Sequence, residues 1–288
     1  MDPAQPSALR ELLWRHAIHP RKRLGQHFLC DGNVLDRIAD LAVGAEGTPV
    51  LEIGAGLGAL TVRLARHSSS VLAVEVDSTL IPALQETLSG LPHVRLLHAD
   101  FLKLPLQATL EEVFQGRKGC VAGNIPYGIT APILERIFSC KHLLRRAVLL
   151  VQAEVADRLT AAPETRDYSA LTVFAAYHGR IRKVLDVGRH LFYPPPEVGS
   201  TLVIFEPGSD LEATVRDPAR FFAIVRAAFA QRRKTLPNAL AGAKLAASSH
   251  EAARWLEACG VSPARRGETL APAEFAAVAN YLSEPGSA

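Results

Sequence analysis

The 288-residue chain has no apolar run approaching the ~20 residues needed to span a bilayer. Its first residues include Asp2, Arg10, Glu11 and Arg15, where a signal peptide would carry its apolar segment. A cytosolic protein is therefore expected. Cysteine is scarce: Cys30, Cys120, Cys140 and Cys259 stand alone, with no CxxC spacing, which excludes a secreted disulfide framework and implies reduced thiols. His16 and His19 lie close together, but Pro20 follows at once and no thiol or carboxylate cluster accompanies them, so no metal site is expected. A charge excess of one sign is also missing. With 32 basic and 29 acidic residues the net charge is +3, too small to argue a nucleic-acid partner by itself.

What is present belongs to an ordinary globular protein. The chain is 48% hydrophobic and 21% charged, which excludes disorder outside the ends. Its length suits one large domain with a small companion. Residues 1–20 show no clear periodicity. From Asn33 onward, Val34, Leu35, Ile38, Leu41 and Ala42 recur at helical spacing, with Gly44 as a stop. Short apolar runs then alternate with helical patterns: Val50 to Ile53, Val71 to Val76, Val94 to Leu97, Cys120 to Gly123 and Ala147 to Val151. That alternation predicts an α/β fold built on a buried parallel sheet. Leu171 to Tyr177, Lys183 to Val187 and Ser200 to Phe205 read as further strands at one edge. After Glu206-Pro207-Gly208-Ser209 the sequence turns Ala-rich, Arg-rich and helical, so a boundary is expected near 208, and Ser283 to Ala288 reads as a frayed tail.

Two motifs carry chemistry. Glu52-Ile53-Gly54-Ala55-Gly56-Leu57-Gly58 joins a strand to the helical run that begins at Ala59, a strand-turn-helix nucleotide site in which the backbone must approach a ligand closely. Read literally, Gly54, Gly56 and Ala59 also satisfy the dinucleotide pattern, so the turn alone is ambiguous. Glu75 follows Gly54 by 21 residues, the spacing at which a carboxylate accepts hydrogen bonds from ribose hydroxyls. Asp100, after the third run, either accepts from an adenine amino group or caps the helix that follows. Acids at the ends of successive strands, with no further phosphate-binding glycines, suit S-adenosylmethionine, whose sulfonium needs no phosphate cradle. The second motif is Asn124-Ile125-Pro126-Tyr127, at the carboxyl end of a strand. The Asn124 amide oxygen and the Ile125 carbonyl can accept both N–H bonds of an exocyclic amine, drawing its lone pair out of conjugation, while Tyr127 stacks on the base.

These residues resemble the class I S-adenosylmethionine-dependent adenine N6-methyltransferases, and within them the ribosomal RNA adenine dimethyltransferases. Leu24 to Leu29, Gln152 to Ala156, Phe192 to Ser200 and Phe229 to Asn238 extend the resemblance over most of the chain. It implies a Rossmann-like methyltransferase sheet with helices on both faces, occupying residues 1–207 with a basic lid segment at 1–32, and a small all-α RNA-recognition domain at 208–288. It also implies that His27 and Leu29 cover the methionine end of the cofactor, that Gly54 lies beside it, that Glu75 holds the ribose and Asp100 the adenine. Asn124 then serves both cofactor and target, and Phe192 faces Tyr127 across a flipped adenine. The target implied is a pair of adjacent adenines in a hairpin loop near the 3′ end of 16S rRNA in the small ribosomal subunit; a monomer is expected. A large-subunit dimethyltransferase and a non-catalytic assembly factor are the alternatives. His27 stands where asparagine is common in such proteins, and Ile125 and Gly128 replace leucine and asparagine. Arg21, Lys22 and Arg23, and then Arg226, Arg232, Arg233 and Lys234, form two basic clusters suited to phosphate contacts or to a solvated surface, and the resemblance favours RNA contact for the second.

Overall fold

The computed structural model describes residues 2–44, 47–209, 211, 214–283, and the backbone but not the side chain of Lys22. Most of the tail expected to fray, 284–288, lies outside them. The described residues form two compact units, one of residues 1–156 with 182–207, the other of 157–181 with 208–288.

The first unit holds a seven-stranded sheet. In chain order its elements are α1 (Pro6–Arg15), β1 (Phe28–Leu29), α2 (Gly32–Val43), β2 (Val50–Ile53), α3 (Ala59–Ala65), β3 (Val71–Glu75), α4 (Ile81–Thr87), β4 (Val94–His98), α5 (Leu106–Phe114), β5 (Gly119–Asn124), α6 (Thr130–Ser139) and β6 (Leu144–Gln152). After α7 (Ala153–Leu159) and α8 (Ala170–His178) come β7 (Gly179–Val187), β8 (Phe192–Tyr193) and β9 (Ser200–Pro207). Strand order is β4-β3-β2-β5-β6-β9-β7, with β1 and β8 paired separately. β2, β3, β4, β5 and β6 run parallel, and β9 joins β6 antiparallel. β2 and β3 are buried along their whole length, as strands covered on both faces must be. One set of alternate side chains, including Val50, Val71, Cys120, Ala122, Val148 and Leu150, packs with Val34, Leu35 and Ile38 of α2 and Leu60 and Leu64 of α3. The opposite set meets the other helices: Phe205 of β9 packs against Phe138 of α6, ring centroids 4.7 Å apart.

The second unit adds α9 (Pro218–Ala230), α10 (Leu236–Gly242), α11 (Ser249–Ala258) and α12 (Pro272–Tyr281) to α8. Its core is Tyr168, Val173, Phe221, Leu236, Trp255, Leu256 and Phe275 with their neighbours. Tyr168 is fully buried and donates to the Leu270 carbonyl at 2.7 Å.

Three expectations change. Leu171 to Tyr177 is helical, not a strand. Its β-branched and aromatic run is started as a helix by Ser169, whose N–H donates to Thr172 Oγ1 at 3.0 Å, and it packs in the second core. The chain passes between units at 156/157 and 181/182 as well as at 207/208, so residues 157–181 belong with the helical unit and 1–207 is not one domain. Residues 6–15 form a helix that buries Ala8, Leu9, Leu12 and Leu13, a stripe too short to show as a period.

Candidate active site

A cleft with about 870 Å³ of empty space opens at the carboxyl ends of β2, β3 and β5, where ligands of open parallel sheets bind. Its lining includes Gln26, His27, Leu29, Glu52, Gly54, Gly56, Glu75 and Asn124. The turn after β2 needs its glycines: Gly54 has φ +70° and Gly56 φ +60°, a region that costs other residues about 1–2 kcal/mol. A Cβ on Gly56 would sit 3.3 Å from the Phe28 ring.

Glu75 closes the floor. Its Oε2 accepts from Gly56 N–H at 2.8 Å, and its Oε1 from Val76 N–H at 2.9 Å and Asp77 N–H at 2.8 Å. Burial pushes its carboxyl above the ordinary range, and these backbone donors oppose that shift. Glu52 is fully buried on the same cleft, and its Oε2 has no hydrogen-bond partner. Burial, with the nearby Glu75 charge adding to it, raises the Glu52 carboxyl to about 8. A folded value above the unfolded 4.5 means that Glu52 contributes stability fully below pH 4.5, and that this is lost as pH rises to about 8. Glu52→Gln, neutral throughout, is therefore expected to leave stability near wild type at about pH 4.5 and to raise it by on the order of 5 kcal/mol at about pH 8.5. Urea denaturation at both pH values checks this, and a pH-independent difference would contradict it.

Asn124 ends β5, and its amide orientation is determined by its neighbour. Nδ2 donates to the His27 carbonyl at 2.9 Å; a carbonyl oxygen only accepts, so the amide nitrogen must face it and Oδ1 must point the other way. Among the described residues neither Asn124 Oδ1 nor the Ile125 carbonyl has an intramolecular donor. Ile125 itself is buried, its N–H donating to the Leu150 carbonyl at 2.9 Å. Pro126 lines the cleft, and Gly54 comes within 3.9 Å of the Asn124 carbonyl, measured from an added Cβ. Tyr127 is half-buried, its hydroxyl 2.7 Å from Ser200 Oγ, and burial raises its phenol above the ordinary value. No atom lies within 4 Å of a Cβ placed on Gly128, so its missing side chain leaves open space beside Tyr127.

The remaining site residues divide. His27 and Leu29 line the cleft, Leu29 as a buried core residue. Asp100 lies outside its lining and caps the turn after β4: Oδ1 accepts from Leu102 N–H at 2.9 Å, with Lys103 Nζ 3.8 Å from Oδ2. Phe192, expected opposite Tyr127, is 4% exposed and packs in the core with Leu29 and Val34; the exposed aromatic of its loop is Tyr193. Arg21 is held by the buried Asp77 at 2.9 Å, so its charge is neutralised within the fold. Arg232 is likewise tied, to Glu268 at 3.0 Å and to the carbonyls of Arg166 and Tyr168. Arg23, Arg226, Arg233 and Lys234 are exposed. Gln26 and its partner Asp77 escaped sequence reasoning. Gln26 donates to Asp77 Oδ2 at 2.7 Å and accepts from Arg21 N–H at 2.7 Å, which fastens the segment before β1 to the end of β3.

Two carboxyls line the cleft, and among the described residues no lysine or arginine side chain does. That lining suits a ligand carrying positive charge, such as the sulfonium and ammonium of S-adenosylmethionine, whose approach favours the ionised form of the buried Glu52. With the sheet and the glycine turn, it defines a class I methyltransferase that uses this cofactor. Comparison over the whole chain goes further. Residues 18–284 match the family model described as ribosomal RNA adenine dimethylase, and the chain belongs to that family. It is 42% identical over 284 residues to ribosomal RNA small subunit methyltransferase A of Geobacillus thermodenitrificans, covering 98% of this chain and 97% of the relative. The protein of the same name from Pelotomaculum thermopropionicum is 42% identical over 289 residues, covering 98% of each. Among solved structures, a dimethyladenosine transferase from Plasmodium falciparum has a TM-score of 0.72 at 25% identity, covering 89% of this chain and 98% of its own. The 23S rRNA methyltransferase ErmE has a TM-score of 0.66 at 26% identity, covering 89% and 100%.

Proposed function

We propose that this chain dimethylates N6 of two adjacent adenines in a hairpin loop near the 3′ end of 16S rRNA in the small ribosomal subunit, acting as a monomer in the cytoplasm. The observation that carries the chemistry is the oriented Asn124 amide, whose Oδ1 and the neighbouring Ile125 carbonyl are two acceptors without internal donors. They bind the two N–H groups of an adenine amine and turn its lone pair toward the methyl group. The bound cofactor supplies that methyl on a positively charged sulfur. Glu75 holds the ribose, Asp100 the adenine through the carboxylate oxygen its cap leaves over, and the His27 and Leu29 backbone and Gly54 flank the methionine end. Tyr127, held by Ser200, stacks on the target base. No strong general base is required, because the amine becomes acidic once methylated, and its proton passes to water.

A base within a duplex cannot reach such a cleft, so the target is splayed from a loop, where unstacking costs least. The second unit serves RNA recognition, with Arg226, Arg233 and Lys234 on phosphates, while Arg23 acts from the first. The small-subunit target is supported by relatives of that name at 42% identity over nearly the full length. The test is methylation of small subunits lacking the modification, beside naked large-subunit RNA, with the modified nucleotides mapped. Dimethylation of two adjacent small-subunit adenines is expected. Modification of large-subunit RNA alone would transfer the reading to the other branch, and cofactor binding without any transfer would favour an assembly factor. No helix among the described residues is long and apolar enough to cross a membrane.

A further inference from the structure

We infer that His27 is a positioning residue that braces the target-side loop 192–196 against Asn124 and Tyr127, and does not act through its side chain on the cofactor. This rests on the methyltransferase reading above and goes beyond it. Three parts of the site meet at this one residue. Its carbonyl accepts from Asn124 Nδ2 at 2.9 Å. Its imidazole Nδ1 lies 2.7 Å from the Pro194 carbonyl, and since that oxygen only accepts, Nδ1 carries the proton. Its ring lies 6.0 Å from the Tyr127 ring, with 23° between the planes.

The flanks explain why the ring holds that position. On one side Gln26 is tied to Asp77. On the other, Phe28 and Leu29 pair with Tyr193 and Phe192, and Cys30 N–H donates to the Leu191 carbonyl at 2.7 Å. His27 is thus held between two anchored segments, its carbonyl bonded to Asn124 and its ring bonded to the loop. The loop has few other handles. Pro194, Pro195 and Pro196 have no N–H to donate, so beyond the β1–β8 pair it can be gripped only by its carbonyls, and His27 takes one of them. Removing the imidazole leaves the strand pair intact and frees the tip that borders the target base.

The test uses the full-length protein and the variants His27→Ala and His27→Asn, the second keeping a side-chain N–H donor. Three quantities are measured: S-adenosylmethionine affinity by calorimetry without RNA, the single-turnover methylation rate on unmodified small subunits at saturating cofactor, and amide exchange at Tyr193 and Glu197 to Ser200. For His27→Ala, cofactor affinity within about threefold of wild type, a rate about tenfold lower and faster exchange in the loop are expected, as for the loss of one hydrogen bond. His27→Asn should restore most of the rate and the slow exchange. A tenfold loss of cofactor affinity with an unchanged rate would overturn the proposal, as would unchanged loop exchange in His27→Ala or an Asn variant no better than Ala. The exchange and calorimetric readings do not depend on which RNA is the substrate, so a failure of the target assignment would leave them standing.

Discussion

Asn124→Ala is expected to lower the single-turnover methylation rate by about 10²–10³-fold, the usual consequence of removing one preorganised polar group from a reacting centre. Cofactor affinity should stay within about threefold, because the carboxylate that holds the ribose and the glycine turn are separate from this side chain. The size of the effect follows from geometry. An exocyclic amine conjugated with its ring is a poor nucleophile, and what the protein offers is a pair of acceptors already in place before the base arrives. One of them, Oδ1, faces outward only because Nδ2 is engaged by the His27 carbonyl at 2.9 Å. Correct alignment of reacting groups is worth about 7–11 kcal/mol in favourable cases, so a share of roughly 3–4 kcal/mol for one oriented amide is reasonable. Asn124→Asp sharpens the test. A carboxylate at this position sets an oxygen against the His27 carbonyl and breaks the orientation while keeping the volume, so a comparable loss of rate is expected. Transfer of methyl groups by Asn124→Ala at near wild-type rate, measured with labelled cofactor at saturation, would remove Asn124 from the chemistry.

The central parallel strands β2 and β3 were legible because they are buried on both faces and read as unbroken apolar runs between glycines and turns, whereas the edge strand β4 is only partly buried. Glu75 was legible from its distance to Gly54, since a strand-turn-helix-strand unit places the end of the second strand beside the first turn. Asp100 was legible as a choice between two roles, and its bond to Leu102 shows the capping role for one of its two oxygens. Other features depend on pairings that no local pattern carries. Arg21 and Gln26 meet Asp77 across more than fifty residues of chain, so a basic run that looked like a phosphate contact holds a structural ion pair. Segment 171–177 has the composition of a strand and folds as a helix because the core formed by 208–288 accepts it on its apolar side. For the same reason a single boundary near 208 missed a segment that joins the second unit from within the first.

Phe192→Ala is expected to destabilise the protein by about 3–5 kcal/mol, the cost of deleting a large buried ring. In a two-residue strand successive side chains point to opposite faces, so the family-like stretch Phe192-Tyr193-Pro194 contains one inward and one outward aromatic, and only the register decides which is which. That register sets Phe192 opposite Leu29 and Tyr193 opposite Phe28. Phe192 is accordingly 4% exposed and Tyr193 41%. Phe192 belongs to the same buried cluster as Leu29, Val34, Leu202 and Ile204. Tyr193→Ala, at an exposed position, should change stability by less than about 1 kcal/mol. Urea denaturation of the two variants under one buffer separates them. A loss of activity in Phe192→Ala alone would not tell a core ring from one that stacks on the base, so Phe192→Leu is the deciding variant. Leucine keeps an apolar filling at a cost of about 1–1.5 kcal/mol and removes the aromatic face. From the buried position of the ring, methylation by Phe192→Leu is expected to remain within a few-fold of wild type. A stable Phe192→Leu protein that has lost methyl transfer would instead mean that the ring leaves the core to meet the target, and that the loop exchanges its inward and outward aromatics when RNA binds.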